Sequence, residues 1–297
     1  MARKYAISMT SVGMTTGVNA IYNGLKHFGN DIDFHLIGDD KEYAELNKDI
    51  IFHDIDEYKK KFNVPDEKGG GWYVRFLRYK LAEEMADQYD AIMIVDADML
   101  CLNNIMKFFK IAAETGMIVI PSNPWGATVE KVLQSGTEML KGASSPPYHS
   151  LTILDPKKHI KLLQEVWDYG IKEPYGDMVT LSRSLFRLDL IDQIYALPNH
   201  QWILSTFYLD YLKPKGDKLT ICEEEVYMIH RRWWMTGVCE KYYNDIKYDT
   251  PEKLIQKHIG RNNVKIFFDT FKKFNTQIGI KIDFPYDDPK LPEVSNE

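Results

Sequence analysis

The sequence predicts an α/β fold, a central and largely parallel β-sheet with helices on both faces. Three observations carry this. Residues 91–95 are apolar at every position, which suits a strand covered on both sides. Residues 5–37 run strand, helix, strand, a βαβ opening. The alternation of apolar runs and helical periodicity then continues to residue 229, as a doubly covered sheet requires.

Each element has a local reason. Residues 5–9 form a short apolar strand, and Val18, Ile21, Tyr22 and Leu25 recur at i, i+3, i+4 and i+7 on one helix face before the strand 34–37. Residues 50–52 supply a further strand. Gly69-Gly70-Gly71 breaks the chain ahead of a helix over 73–86, which leads into the strand 91–95. Further strands are expected at 117–120, 151–154 and 226–229, with helices near 103–111, 128–141, 157–169 and 178–188. In such sheets ligands gather at the carboxyl ends of the strands.

Residues 1–248 read as one domain and 249–297 as a basic, amphipathic, helical extension. Thr250-Pro251-Glu252 suits a helix start, and Val264, Phe267, Phe268 and Phe271 form an apolar stripe beside Lys265, Lys272 and Lys273. Between 251 and 281 seven Lys/Arg face only Glu252 and Asp269. Such a helix usually packs on its own core, and it also suits a membrane surface or a polyanion.

Composition narrows the function class. The 297 residues are 44% hydrophobic and 27% charged, enough for a large core, and a net charge of −6 argues against a polyanion binder over the whole surface. Cys101, Cys222 and Cys239 are odd in number and lack CxxC or Cys/His spacing, so neither a disulfide framework nor structural zinc is indicated and a cytoplasmic setting is expected. No segment approaches 18 consecutive apolar residues. There is no GxxxxGK[ST] and no GxSxG.

The apolar strand 91–95 ends in Asp96-Ala97-Asp98. Two ionised carboxylates beside such a core repel each other and lose hydration, a cost that a cation or several hydrogen-bond donors offset. Hard oxygen ligands of this kind suit Mg²⁺ or Mn²⁺ completed by water and a substrate diphosphate. The plainer alternative is that Asp98 caps the helix 103–111 while Asp96 faces water.

The stretch Val74 to Asp98, VRFLRYKLAEEMADQYDAIMIVDAD, resembles the central signature of the family 8 glycosyltransferases, GT-A fold enzymes that use nucleotide sugars. The resemblance implies that Asp96 and Asp98 hold Mn²⁺, or Mg²⁺, under the donor's diphosphate, and that a late strand ends in a third ligand. Val226-Tyr227-Met228-Ile229-His230 supplies one in His230. Arg78 matches the family's helical Arg, with Lys80 two residues on; either would support phosphates or orient a carboxylate, although helical cations also pair with acids at i±4.

Other segments match in order. Ala6-Ile7-Ser8-Met9-Thr10 resembles the strand whose end receives base and ribose, which places Ser8 and Thr10 there. Tyr148 to Lys158 resembles the strand lining the sugar and acceptor pocket, and Tyr175-Gly176-Asp177-Met178 the segment beside the anomeric carbon, followed by Leu197-Pro198. Asp177 is thus the candidate catalytic carboxylate, with a helix N-cap as its alternative role. His149, Leu151 and Met178 stand where the family has Asn, Gly and Gln. No GxxKPW follows His230; His230-Arg231-Arg232 offers cations instead, Arg231 foremost.

The resemblance therefore implies transfer of a hexose from a nucleoside diphosphate sugar, UDP-linked, to an acceptor hydroxyl with retention of configuration. Two rivals remain open: a sugar-nucleotide binder without turnover, and a metal-dependent phosphoryl-transfer enzyme whose second carboxylate cluster would be Glu223-Glu224-Glu225.

Overall fold

A computed structural model of the chain describes residues 3–13, 15–65, 73–97, 99–121, 151–172, 177–202, 212–216, 218–221 and 223–230. The extension 249–297 and the helix expected at 128–141 lie outside them.

Seven strands form the main sheet: β1 (Tyr5–Ser11), β2 (Asp33–Gly38), β3 (Ile50–Asp54), β4 (Ala91–Asp96), β6 (Ile118–Pro121), β7 (Leu151–Leu154) and β8 (Ile194–Leu197), in the order β3-β2-β1-β4-β7-β6-β8. Strands β3, β2, β1 and β4 are parallel neighbours, as are β6 and β8, whereas β7 runs antiparallel to both β4 and β6. The sheet is mostly parallel, with one reversed strand inside it. Strand β5 (Met99–Cys101) leaves this sheet directly after the carboxylates and pairs antiparallel with β12 (Met228–His230). Strands β9 (Leu212–Lys215), β10 (Lys218–Ile221) and β11 (Glu224–Glu225) form a small antiparallel sheet of their own.

Two cores lie on opposite faces, because successive strand residues point to opposite sides. Ile7, Met9, Met93 and Val95 pack with α1 (Thr15–His27) and α5 (Met106–Thr115) through Val18, Ile21, Phe108 and Phe109. Ala6, Ile92 and Ile94 pack with α4 (Leu77–Glu84), α6 (Ile160–Lys172) and α7 (Asp177–Arg187). Shorter helices α2 (Lys41–Leu46) and α3 (Ile55–Lys61) flank β3; Asp40 and Asp54 cap them by accepting from backbone N–H groups of the first turn. A four-residue helix α8 (Asn199–Trp202) follows β8.

The helix expected over 73–86 divides into a 3-10 turn, Tyr73–Phe76, and α4. Close packing explains the tight first turn: the Phe76 ring lies against Gly170 of α6, where any larger residue would collide with it. The strand expected at 226–229 begins two residues later and serves the β5 pair rather than the main sheet.

Candidate active site

The rim where the parallel strands end gathers the candidate residues. Thr10, the penultimate residue of β1, pairs in register with Asp96, the last residue of β4. Counting back from Asp96, Ile94 and Ile92 lie in the core beneath α4, so alternation aims the Asp96 carboxylate at that helix.

Arg78 meets it there. The side chain is only 2% exposed, and its Nη1 donates to Asp96 Oδ1 while Nη2 donates to Asp177 Oδ2 at 2.6 Å. Asp177, itself 3% exposed, opens α7, where the positive end of the helix dipole favours a carboxylate. A second cation, Arg75, lies 4.0 Å from Asp177 Oδ1 and is 41% exposed. Burial disfavours the Arg78 cation, but the charges of Asp96 and Asp177 outweigh it, and the net shift is upward. The guanidinium is therefore a fixed positive charge between two carboxylates. A surface salt bridge, the plainer reading of this Arg, does not describe a side chain so deeply enclosed.

Ser8 is wholly buried and donates its hydroxyl to the Arg78 carbonyl at 2.6 Å, so it ties α4 to the sheet from below the rim. The buried Thr10 hydroxyl has no hydrogen-bond partner among the described residues and lies beside Asp96 in the ladder. Lys80 stands apart: its ammonium binds Glu83 at 2.6 Å and lies 5.5 Å from the Phe62 ring. Asp98, Arg231 and the side chain of His230 lie outside the described residues. The His230 backbone pairs with Met99, the residue that follows Asp98. Residues more than 130 positions apart thus share one register.

Next to Thr10, a small cleft is lined by Ser11, Val18, Leu36, Gly38, Asp39, Asp40 and Tyr43. Asp39 accepts from the Gly13 backbone N–H with both oxygens, at 3.1 and 3.2 Å, and Gly13 adopts φ +62°, a conformation that favours glycine. Asp39 and Arg75 were not singled out from the sequence. Arg75 had a usable signal in its i, i+3 relation to Arg78, while Asp39 had none beyond following a strand.

Among the described residues no group of three or more His, Cys, Asp or Glu side chains gathers about a metal position. The donor types nonetheless suit one: a rim carboxylate, an orphaned hydroxyl beside it, and a histidine strand held against the following residue. Glu223 to Glu225 do not join them. Glu223 binds Lys215, Glu225 binds Lys218 and Asn103, and Glu224 accepts from Gln201, all on the small sheet and its neighbours.

No family model and no curated protein matches the sequence. Solved structures match in shape. Mouse xyloside xylosyltransferase 1, in its apo form, is 16% identical with a TM-score of 0.52 over 77% of this chain and 98% of its own. The galactosyltransferase LgtC, in complex with donor and acceptor sugar analogs, is 14% identical with a TM-score of 0.53 over 77% of this chain and 89% of its own. The glycosyltransferase GlyE of Streptococcus pneumoniae TIGR4 is 12% identical with a TM-score of 0.51 over 92% of this chain and 64% of its own. The chain has the GT-A glycosyltransferase fold.

Proposed function

We propose that the chain is a glycosyltransferase that moves a hexose from a UDP-sugar to an acceptor hydroxyl with retention of configuration, assisted by Mn²⁺ or Mg²⁺. The observation that carries this reading is the Asp96–Arg78–Asp177 cluster at the carboxyl ends of β1 and β4, the place where an open α/β sheet receives a nucleotide.

The geometry supports the following roles. Arg78 is a positioning residue, because its guanidinium is committed to two carboxylates and fixes Asp96 at the rim and Asp177 at the start of α7. Asp177 supplies a preorganised negative charge for sugar hydroxyls and for positive charge developing at the anomeric carbon. The base and ribose would lie where β1 and β2 end side by side, at Ser11 and Gly38. Arg75 and Arg231 would offer positive charge to the donor's phosphates. Asp96, Asp98 and His230 would hold the cation, which when bound neutralises the departing diphosphate without a proton donor. A cytosolic setting suits a free, buried Cys101.

The phosphoryl-transfer alternative needs a second ionised carboxylate open to a second metal. Glu223, Glu224 and Glu225, the carboxylates it would use, bind Lys215, Gln201, Lys218 and Asn103 instead.

Thermal shift with UDP, with and without Mn²⁺, tests the reading, since a ligand that binds the folded state raises its apparent stability. UDP should stabilise the protein with Mn²⁺ and much less without it, and Asp98→Ala and His230→Ala should each remove the metal-linked part. Coupling retained in both variants overturns the metal assignment. UDP release from UDP-sugars separates an enzyme from a binder, and the anomeric proton of the product reports its configuration.

A further inference from the structure

At the β3 edge of the parallel half-sheet, two histidines share one hydrogen bond. His35 of β2 and His53 of β3 stack with their rings 13° from coplanar, and His35 Nδ1 lies 3.1 Å from His53 Nε2. The groups around them form a chain. His35 Nε2 is 2.8 Å from the Tyr89 hydroxyl, which donates to Asp33 at 2.8 Å. His53 Nδ1 is 3.3 Å from the Tyr58 hydroxyl, which donates to Glu84 at 3.1 Å, and Glu84 also pairs with Lys61. The charged and titratable groups facing the pair are therefore Asp33 from β2, Tyr58 and Lys61 from α3, Glu84 from α4 and Tyr89 from the turn before β4.

Proton counting fixes the states of this chain. Tyr89 gives its only hydrogen to Asp33, so its oxygen accepts from His35 Nε2–H, which leaves His35 Nδ1 bare when the ring is neutral. His53 must then donate its Nε2–H to His35. One extra proton, on His53 Nδ1, completes the chain: that N–H donates to the Tyr58 oxygen while Tyr58 donates to Glu84. A second extra proton has only His35 Nδ1 to occupy, where it opposes the His53 N–H at 3.1 Å and sets two cations ring to ring.

We propose that His35 and His53 form a two-step proton switch, which holds the β3–α3 edge against β2 and α4 with no or one extra proton and releases it with two. Burial, with the neighbouring His53 charge, lowers His35 to about 4, and burial lowers His53 as well. Acidification thus reaches His53 first and loosens the edge only further down.

Histidine ¹⁵N spectroscopy on the full chain tests this without any variant. At pH 7.5 His35 should carry its proton on Nε2 with Nδ1 bare, and on acidification His53 should titrate before His35. Amide exchange across 50–61 should then accelerate with the His35 step while β1 and β4 stay protected. His53→Gln, whose amide keeps a donor toward His35 but takes up no proton, should move the His35 midpoint upward. A protonated His35 Nδ1 at pH 7.5, two independent midpoints near 6.5, or exchange that ignores the His35 step overturns the switch.

Discussion

Replacing Arg78 with Met removes the cation between Asp96 and Asp177 while keeping an unbranched chain in the same space, next to the Tyr79 ring that lies 5.6 Å from the guanidinium carbon. The expected cost depends on what the carboxylates have left. Breaking a buried pair by deleting one member costs about 3 to 5 kcal/mol, because the remaining charge stays buried and unpaired. Asp96 is 20% exposed and regains some water, and Arg75 remains 4.0 Å from Asp177. Those two compensations put the loss at the lower end, about 3 kcal/mol. Urea denaturation followed by tryptophan fluorescence measures it. The companion is Asp177→Asn in the Arg78→Met background: removing the stranded charge should return about half of the loss, whereas Asp177→Asn alone should destabilise. A loss below about 1 kcal/mol, the scale of an exposed pair, or no recovery in the double variant, would refute the buried-cluster argument.

Other perturbations test neighbouring parts. Ser8→Ala removes the buried hydroxyl that donates to the Arg78 carbonyl and should cost about 1 kcal/mol in the same denaturation assay, with a larger effect on the UDP-linked thermal shift than on the fold. Gly24→Ala places a methyl group against the Cys101 carbonyl of β5, so it should cost about 1 to 3 kcal/mol and weaken Mn²⁺-dependent stabilisation, because β5 carries the strand that ends at His230. Arg75→Gln should change the unfolding free energy by no more than about 0.5 kcal/mol, as for a side chain 41% exposed and only 4.0 Å from its nearest acid, while raising KM for the UDP-sugar. Stability should fall as pH drops from about 6.5 toward 4: His35, His53 and His159 all have lowered folded values, so the unfolded chain binds more protons in that window and folding opposes their uptake. Thermal scans at half-unit pH steps read this directly, and a flat profile would show that the three rings titrate alike in both states.

Strand β4 was legible because five apolar residues in a row have no other economical explanation than burial on both faces, and the helix before it because a glycine break at 69–71 sets it off from what precedes. The reversal of β7 was not, since an apolar strand of four residues reads the same in either direction and only its neighbours decide. The β5–β12 pair escaped for a related reason: three residues are too few to show a period. At the site, Asp96, Arg78 and Asp177 were each visible as candidates, but their union was not. The residues lie 18 and 99 positions apart, and no local pattern reports that a guanidinium will be enclosed by both acids. Ser8, expected at the ligand from its position on β1, is wholly buried with its hydroxyl on the Arg78 carbonyl, a contact that no local pattern reports.

The reversed strand β7 also determines on which side of the sheet its two chain junctions fall. Strand β6 runs parallel to β4 and so ends, at Pro121, on the same side as Asp96, while β7 begins there too, with Leu151 opposite Val95. The two strand ends that flank residues 122–150 therefore lie on the Asp96 side of the sheet. An engineer who changes the sequence between Pro121 and Leu151 works at a junction whose two anchors are neighbouring rungs of one ladder, so the strand order beneath need not be redrawn.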